Sequence, residues 1–188
     1  MTESTVTRRR SRPALWVAGG LAVVLALLIG VLATRSPATD RLVHSPLVGK
    51  GAPAIQAPML RGDGTFSLDD HRGEFVLVNF FATWCVPCQR EHADLKRFAE
   101  AHAAAGDASV VSVIFSDQTS DVNRFFEQRG GNWPVLRDDD GTIATDWGVA
   151  RVPESYLVAP SGVVIGKITG GVSFDFLQQQ VARLQATR

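Results

Sequence analysis

Cys85 and Cys88 stand three positions apart in Trp84-Cys85-Val86-Pro87-Cys88, and the chain has no other cysteine. A pair at this spacing can exchange disulfides, bind a metal or carry haem. Haem attachment needs a His directly after the second cysteine, where this chain has Gln89. A zinc site needs two further ligands, and His92 and His102 are irregularly spaced and embedded in a predicted helix. A purely structural disulfide is compatible with an oxidising compartment, but so short a loop removes little chain entropy. The pair therefore reads as redox-active, with no metal and no cofactor beyond the Cys85–Cys88 disulfide itself.

Its position in the chain supports that chemistry. An apolar run ends just before Cys85 and a helical period begins just after it. At a helix N-terminus the unpaired N–H groups and the macrodipole stabilise an anion, so Cys85 is expected to supply the attacking thiolate. Cys88, one turn in, is placed to close the disulfide and release a bound partner. Pro87 suits the first turn, where its missing N–H costs nothing, and it stiffens the segment.

The elements that must hold these residues follow from the apolar pattern. Residues 75–82 (FVLVNFFA) are apolar except for Asn79, as in a strand buried on both faces, and 109–115 (SVVSVIF) read the same way. Between them Cys88, Glu91, Leu95, Phe98 and His102 recur at steps of three or four, which predicts a helix from about Val86 to Ala104. A second helix is predicted from Thr119 or Ser120 to Arg129, closed by Gly130-Gly131. A turn at Asp138-Asp139-Asp140-Gly141 precedes a short helical piece reaching Trp147-Gly148. Residues 155–158 and 163–168 form a predicted hairpin around Pro160-Ser161-Gly162, and a last helix starts at Ser173. A further hairpin is expected where Phe66–Leu68 follow Gly62-Asp63-Gly64. Asp117 and Asp121 read as turn and capping residues. The whole order predicts an α/β fold with a central mixed sheet flanked by helices.

The N-terminus is of a different kind. Twenty uncharged residues from Ala14 to Ala33 would span roughly 30 Å as a helix, the thickness of a bilayer's hydrocarbon core. The expected organisation is a cytoplasmic segment 1–13, a transmembrane helix 14–34, a linker 35–50 and a folded domain 51–188. Arg8, Arg9, Arg10 and Arg12 before the apolar stretch, against Arg35 after it, put the domain outside the cytoplasm by the positive-inside rule. A cleaved signal peptide ending at Val31-Leu32-Ala33 is the alternative, and it exports the domain equally. Basic and acidic residues balance at 19 each over 188 residues. Without the first 36 residues, 14 basic and 18 acidic side chains remain, which gives no electrostatic footprint for nucleic acid.

Taken together, residues 48–186 resemble the thioredoxin-fold TlpA/ResA/CcmG (DsbE) group of membrane-anchored, extracytoplasmic thiol-disulfide oxidoreductases. The carriers are the segment 76–88 (VLVNFFATWCVPC), the following Glu91, and the segment 148–156 (GVARVPESY). The resemblance implies that Pro153 is a cis-proline facing the cysteines, with Val152 offering backbone groups to an extended substrate; the plain alternative is a trans residue opening a strand. It also implies that Glu91 acts as a proton-handling acid behind Cys88, rather than merely as a first-turn acid stabilising the helix. Thioredoxin itself has a buried acid where this chain has Asn79, and Asn cannot accept a proton, so another group must take that part: Glu91, or as a second candidate Glu154, whose plain alternative is a strand-edge charge. Trp84 would shield the pair and, with Pro87, Val152, Pro153 and Glu154, form the substrate surface.

The implied activity is reduction of the cysteines of apocytochrome c, or of its partner proteins, before haem attachment. Electrons would come from a transmembrane thiol donor. A general extracytoplasmic thiol reductase and a disulfide-forming oxidase are the alternatives within redox chemistry. A peroxiredoxin is a poor fit, because the Pro and Ser/Thr preceding its reactive cysteine correspond here to Val78 and Ala82. A non-catalytic binding module would require Cys85 to be dispensable.

Overall fold

Strand β4 (Phe75–Phe81) is buried at every position, as its almost unbroken apolar composition requires, and the domain is arranged around it. The computed structural model describes residues 12–33, 40–61 and 63–186. They divide between two units, Met1–Pro37 and Ala38–Arg188. In the first, Arg12–Ala33 forms helix α1, and the large apolar side chains from Trp16 to Ile29 are exposed. The part with described side chains, residues 16–30, is roughly 22 Å long at about 1.5 Å per residue. Among the described residues no helix is long and apolar enough to cross a membrane.

In the second unit β4 pairs in parallel with β5 (Ala108–Ile114) and antiparallel with β7 (Glu154–Val158). The β4–β5 connection runs through helix α2 (Val86–His102), the expected crossover. Antiparallel to β7 lies β8 (Val164–Thr169), whose outer edge carries β1 (Arg41–Val43). On the other side β5 pairs with the two-residue β6 (Val135–Leu136), which pairs with β2 (Gln56–Arg61) of the β2–β3 hairpin, β3 being Thr65–Ser67. The sheet order is β1-β8-β7-β4-β5-β6-β2-β3. This is a thioredoxin-like mixed sheet with flanking helices.

Alternation along the strands separates two cores. One face packs Leu77, Leu157 and both cysteines against α2, α3 (Thr119–Arg129) and α5 (Phe174–Gln185). The other packs Val78, Phe80 and Tyr156 against Trp147 and the short α4 (Thr142–Asp146). Aromatic rings meet edge-on at its centre, with the Trp147 and Tyr156 centroids 5.0 Å apart.

The expected linker 35–50 is shorter than its composition suggests, because residues from Asp40 onward belong to the folded unit. Arg41–Val43 have no apolar period, yet they pair with Lys167–Thr169, since ladder hydrogen bonds need only a free sheet edge. Asp40 fixes the start of that strand. Its N–H donates to Gly171 O at 3.1 Å, and its carboxylate accepts from the Ser173 backbone at 2.8 Å and from Ser173 Oγ at 2.7 Å. Ser173 in turn caps α5. Asp40→Ala should destabilise the domain by about 1–2 kcal/mol, read as a lower urea midpoint at unchanged slope. A midpoint identical to the parent's would mean that residues 40–43 are linker after all.

Candidate active site

After β4 ends at Phe81, the chain passes through Ala82-Thr83-Trp84 before α2 begins. Asp117 and its neighbours hold that turn from the β5 side. The Thr83 N–H donates to Asp117 Oδ2, Trp84 Nε1 donates to Ser116 O at 3.1 Å, and Gln89 Nε2 donates to Thr83 O at 2.6 Å. Asp117 is thus a turn residue, as its type suggests, and the turn it fixes is the one that delivers the cysteines.

Cys85 occupies the N-cap position of α2 in extended conformation, with its Sγ accepting from the Cys88 N–H at 3.2 Å. Pro87 stands in the first turn. Cys85 and Cys88 are joined as a disulfide with Cα atoms 5.2 Å apart, and both are buried. When the bond is reduced, the same N–H and the helix dipole are in place to stabilise a Cys85 thiolate. Trp84 before the pair and Val86 within it are 59% and 52% exposed, so the rim around a buried disulfide is apolar and open to a partner.

The Val152–Pro153 peptide is cis. Phe80 is registered with Glu154 across β4 and β7, which brings Pro153 level with the end of β4, at the edge of the sheet where Cys85 lies. Val152 is half-buried and packs against the core cluster that contains both cysteines. The sequence-predicted residues Trp84, Pro87, Val152 and Pro153 therefore lie at the same end of the sheet as Cys85 and Cys88.

Behind them, Glu91 is 4% exposed on the buried face of α2, one turn beyond Cys88. Asn79 Nδ2 donates to Glu91 Oε1 at 2.9 Å and to Ser155 Oγ at 3.0 Å. Ser112 Oγ donates to Asn79 Oδ1 at 3.4 Å and accepts from Trp133 Nε1 at 2.9 Å. Burial pushes the Glu91 pKa up to about 8, a shift that Asp94 reinforces and that the Asn79 side chain and Val172 backbone only partly oppose. The burial of this carboxyl group is nearly complete. Ser112, Trp133 and Ser155 escape sequence reading, because a Ser in a hydrophobic strand carries no sign of its partner; the only signal was the lone Asn79, which a buried strand must satisfy somewhere.

Glu154 is placed differently from its expected position on the substrate surface. It is buried on the sheet face opposite Asn79 and Ser155, and its Oε2 lies 2.8 Å from Lys167 Nζ. Glu91 alone of the two acids stands behind the cysteines. Neither histidine is free for a metal. His92 Nε2 is 2.9 Å from Gly130 O, and burial lowers the His92 pKa; the His102 ring is held between Asp107 and Gln178.

An acid whose pKa is raised on folding contributes stability that is complete below its unfolded value and lost as pH rises through the folded one. Between the ordinary 4.5 and about 8, the folded state holds a proton that the unfolded state has released. Glu91 should therefore cost the oxidised domain up to roughly 1.4 kcal/mol per pH unit over that window. Urea titrations from pH 5 to 8 should show the decline in the parent and a flatter profile in Glu91→Gln; parallel profiles would place the proton elsewhere.

Comparison with known proteins agrees with this geometry. The redoxin family model matches residues 47–180. The thiol:disulfide interchange protein CycY of Rhizobium leguminosarum is 38% identical over 100 residues, a match spanning 53% of this chain and about half of that relative, 52%. DsbE of Allochromatium vinosum, also a thiol:disulfide interchange protein, is 33% identical over 77% of this chain and 81% of its own length. Among solved structures, a putative thiol:disulfide interchange protein DsbE from Chlorobium tepidum superposes with a TM-score of 0.66 at 28% identity, covering 72% of this chain and 96% of that one. With a disulfide at a helix N-terminus and a cis-proline at the same end of the sheet, the chain belongs to the redoxin family and is a thiol-disulfide oxidoreductase of the DsbE/CcmG-like group.

Proposed function

We propose that this protein is a membrane-anchored, extracytoplasmic reductant that keeps the cysteines of apocytochrome c, or of its partner proteins, reduced for haem attachment. The observation that carries the redox role is the Cys85–Cys88 disulfide at the N-terminus of α2, with Glu91 buried one turn behind it. The uncharged stretch Ala14–Ala33 and the arginines before it support the anchor and the orientation, with residues 1–13 cytoplasmic and the domain outside. The likeness of segment 148–156 to the CcmG branch supports the apocytochrome substrate.

In the proposed cycle the reduced Cys85 thiolate attacks one sulfur of the partner's disulfide. A Cys85–partner bond forms, the partner's own S–S bond breaks, and its first cysteine leaves as a thiolate. Cys88 then gives its proton to the Glu91 carboxylate and attacks Cys85 Sγ. The Cys85–Cys88 bond forms, the mixed disulfide breaks, and the partner leaves with two electrons more and both thiols restored. A transmembrane thiol donor of the same chemistry must return two electrons to Cys85 and Cys88 before the next turnover.

The residues between the cysteines favour the reducing direction. Val86 and Pro87 carry neither charge nor side-chain donor, so the Cys85 thiolate has the helix terminus and the Cys88 N–H but no cation from the residues between the cysteines. A strong oxidant needs a far more stabilised thiolate.

Cys85→Ser should abolish exchange, and Cys88→Ser should accumulate a mixed disulfide with the partner, visible on non-reducing gels. Normal turnover in either variant would end the assignment. The Cys85/Cys88 couple should have a potential near thioredoxin's, about −270 mV; a value near about −120 mV would mean an oxidant that installs disulfides.

A further inference from the structure

Lys167 lies within β8, in a run that reads as one strand of an ordinary hairpin, and no step of thiol-disulfide exchange calls for a lysine there. Its surroundings are not those of a surface lysine. The side chain is 12% exposed, and Nζ lies 2.8 Å from Glu154 Oε2, a carboxylate that is itself only 4% exposed. The ammonium also donates to Gly148 O at 3.2 Å and stands 5.1 Å from the centre of the Tyr156 ring, its cross-strand neighbour. Burial pulls the Lys167 pKa down, but the Glu154 and Tyr156 contacts outweigh it and the net direction is up, so the group stays charged. Taking such a pair out of water costs desolvation that an apolar pair would avoid, and a fixed geometry is what it supplies in return.

The anchors of this ammonium share one feature. Gly148 opens, and Glu154 directly follows, the segment that carries Val152 and cis-Pro153. Further bonds secure the same two ends: the Tyr156 hydroxyl donates to Trp147 O, and the Gly170 N–H donates to Pro153 O at 3.2 Å. Between these ends Ala150 and Arg151 are exposed. One charge therefore bridges the two ends of a surface loop from the back of the sheet. Glu154 and Tyr156 lie on the face opposite Asn79 and Ser155, away from Glu91 and the cysteines. Any influence of Lys167 on the reaction has to pass through the loop.

We propose that Lys167 is a positioning residue that holds the Val152–Pro153 segment at the distance from Cys85 that an extended polypeptide requires, so that the protein prefers polypeptide disulfides to small ones. The proposal rests on the reading of Val152 as the backbone edge offered to substrate. A small disulfide needs only the Cys85 thiolate, whereas a peptide must also lie along that edge, so loosening the loop raises KM for the peptide alone.

The test uses the full-length protein, kept reduced by a small dithiol whose uncatalysed reaction is subtracted, and two oxidised substrates: a synthetic peptide containing a Cys-x-x-Cys-His disulfide, and 2-hydroxyethyl disulfide. Lys167→Met should raise KM for the peptide roughly tenfold with kcat within about twofold, and should leave the rate with the small disulfide and the Cys85/Cys88 potential within about twofold of the parent. Lys167→Arg, which keeps a cation and its donors, should restore the peptide KM to within about threefold of the parent. If Lys167→Met does not fold, Lys167→Gln is compared instead, with the same expected split between substrates. An unchanged peptide KM, an equal loss on both substrates, or an Arg variant no better than the Met variant would overturn the proposal. A parent protein that turns over the small disulfide but never the peptide would overturn it together with the substrate-edge reading beneath it.

Discussion

Asn79 is the one polar side chain on a strand buried from end to end, and the site depends on how its amide is satisfied. Both Nδ2 donor positions are taken, one by the Glu91 carboxylate and one by Ser155, and Oδ1 accepts from Ser112. These partners come from α2, β7 and β5, so one side chain ties together the helix that carries the cysteines and both strands that flank β4. A slip of one residue in β4 would turn Asn79 to the opposite core and orphan its amide there. The cost of that orphan specifies the register more sharply than hydrophobic burial on both faces could. An Asp at this position would set a second acid beside Glu91. With Asn, the proton behind the disulfide belongs to a single group.

The two faces of the sheet divide the work. On the α2 side are the disulfide, Glu91 and the neutral polar chain from Asn79 to Trp133. On the other side Trp147, Tyr156 and the Glu154–Lys167 pair hold the ends of the loop that carries cis-Pro153. Neighbouring residues of β7 thus act in different places: Glu154 reaches Lys167 behind the sheet, and Ser155 reaches Asn79 in front of it. A period of two is what allows one short strand to serve both. The separation also keeps a buried cation away from the cysteines, where it would stabilise the thiolate and shift the couple toward an oxidant.

The same period explains what the sequence made legible. The buried strands, the crossover helix and the redox pair could be read because each carries a continuous pattern: apolar runs, steps of three or four, and two cysteines where one pattern gives way to the other. Pro153 and Glu91 became readable through the resemblance, and the structure places Pro153 in a cis peptide and Glu91 in the core. Arg41–Val43 and Val135–Leu136 were hidden because strands of two or three residues have no period to detect. The position of Glu154 was hidden for a different reason. A Glu after a cis-proline looks solvent-facing until Lys167 is known to lie within reach, and that pairing is set by the β7–β8 register, which puts Lys167 directly across from Tyr156, two residues on from Glu154.

The proton affinity of Glu91 bears on how the couple can work in both halves of its cycle. A free cysteine thiol has a pKa of about 8.5 and an ordinary glutamic acid one of about 4.3, so an exposed Glu would take a thiol's proton only against a penalty of several kcal/mol. Burial brings Glu91 to about 8. Transfer from a thiol of ordinary pKa would then be close to thermoneutral, which is the condition under which a general base is also a competent general acid. In the proposed cycle, ionised Glu91 takes the Cys88 proton as the mixed disulfide resolves. In the reverse direction of the same proposal, protonated Glu91 would return it to the departing Cys88 sulfur as a donor reduces the Cys85–Cys88 bond. An acid matched to its thiol in this way accelerates both directions and selects neither. The direction of electron flow rests instead on what the N-terminus of α2 does for the Cys85 thiolate, and there Val86 and Pro87 add nothing to the helix terminus itself.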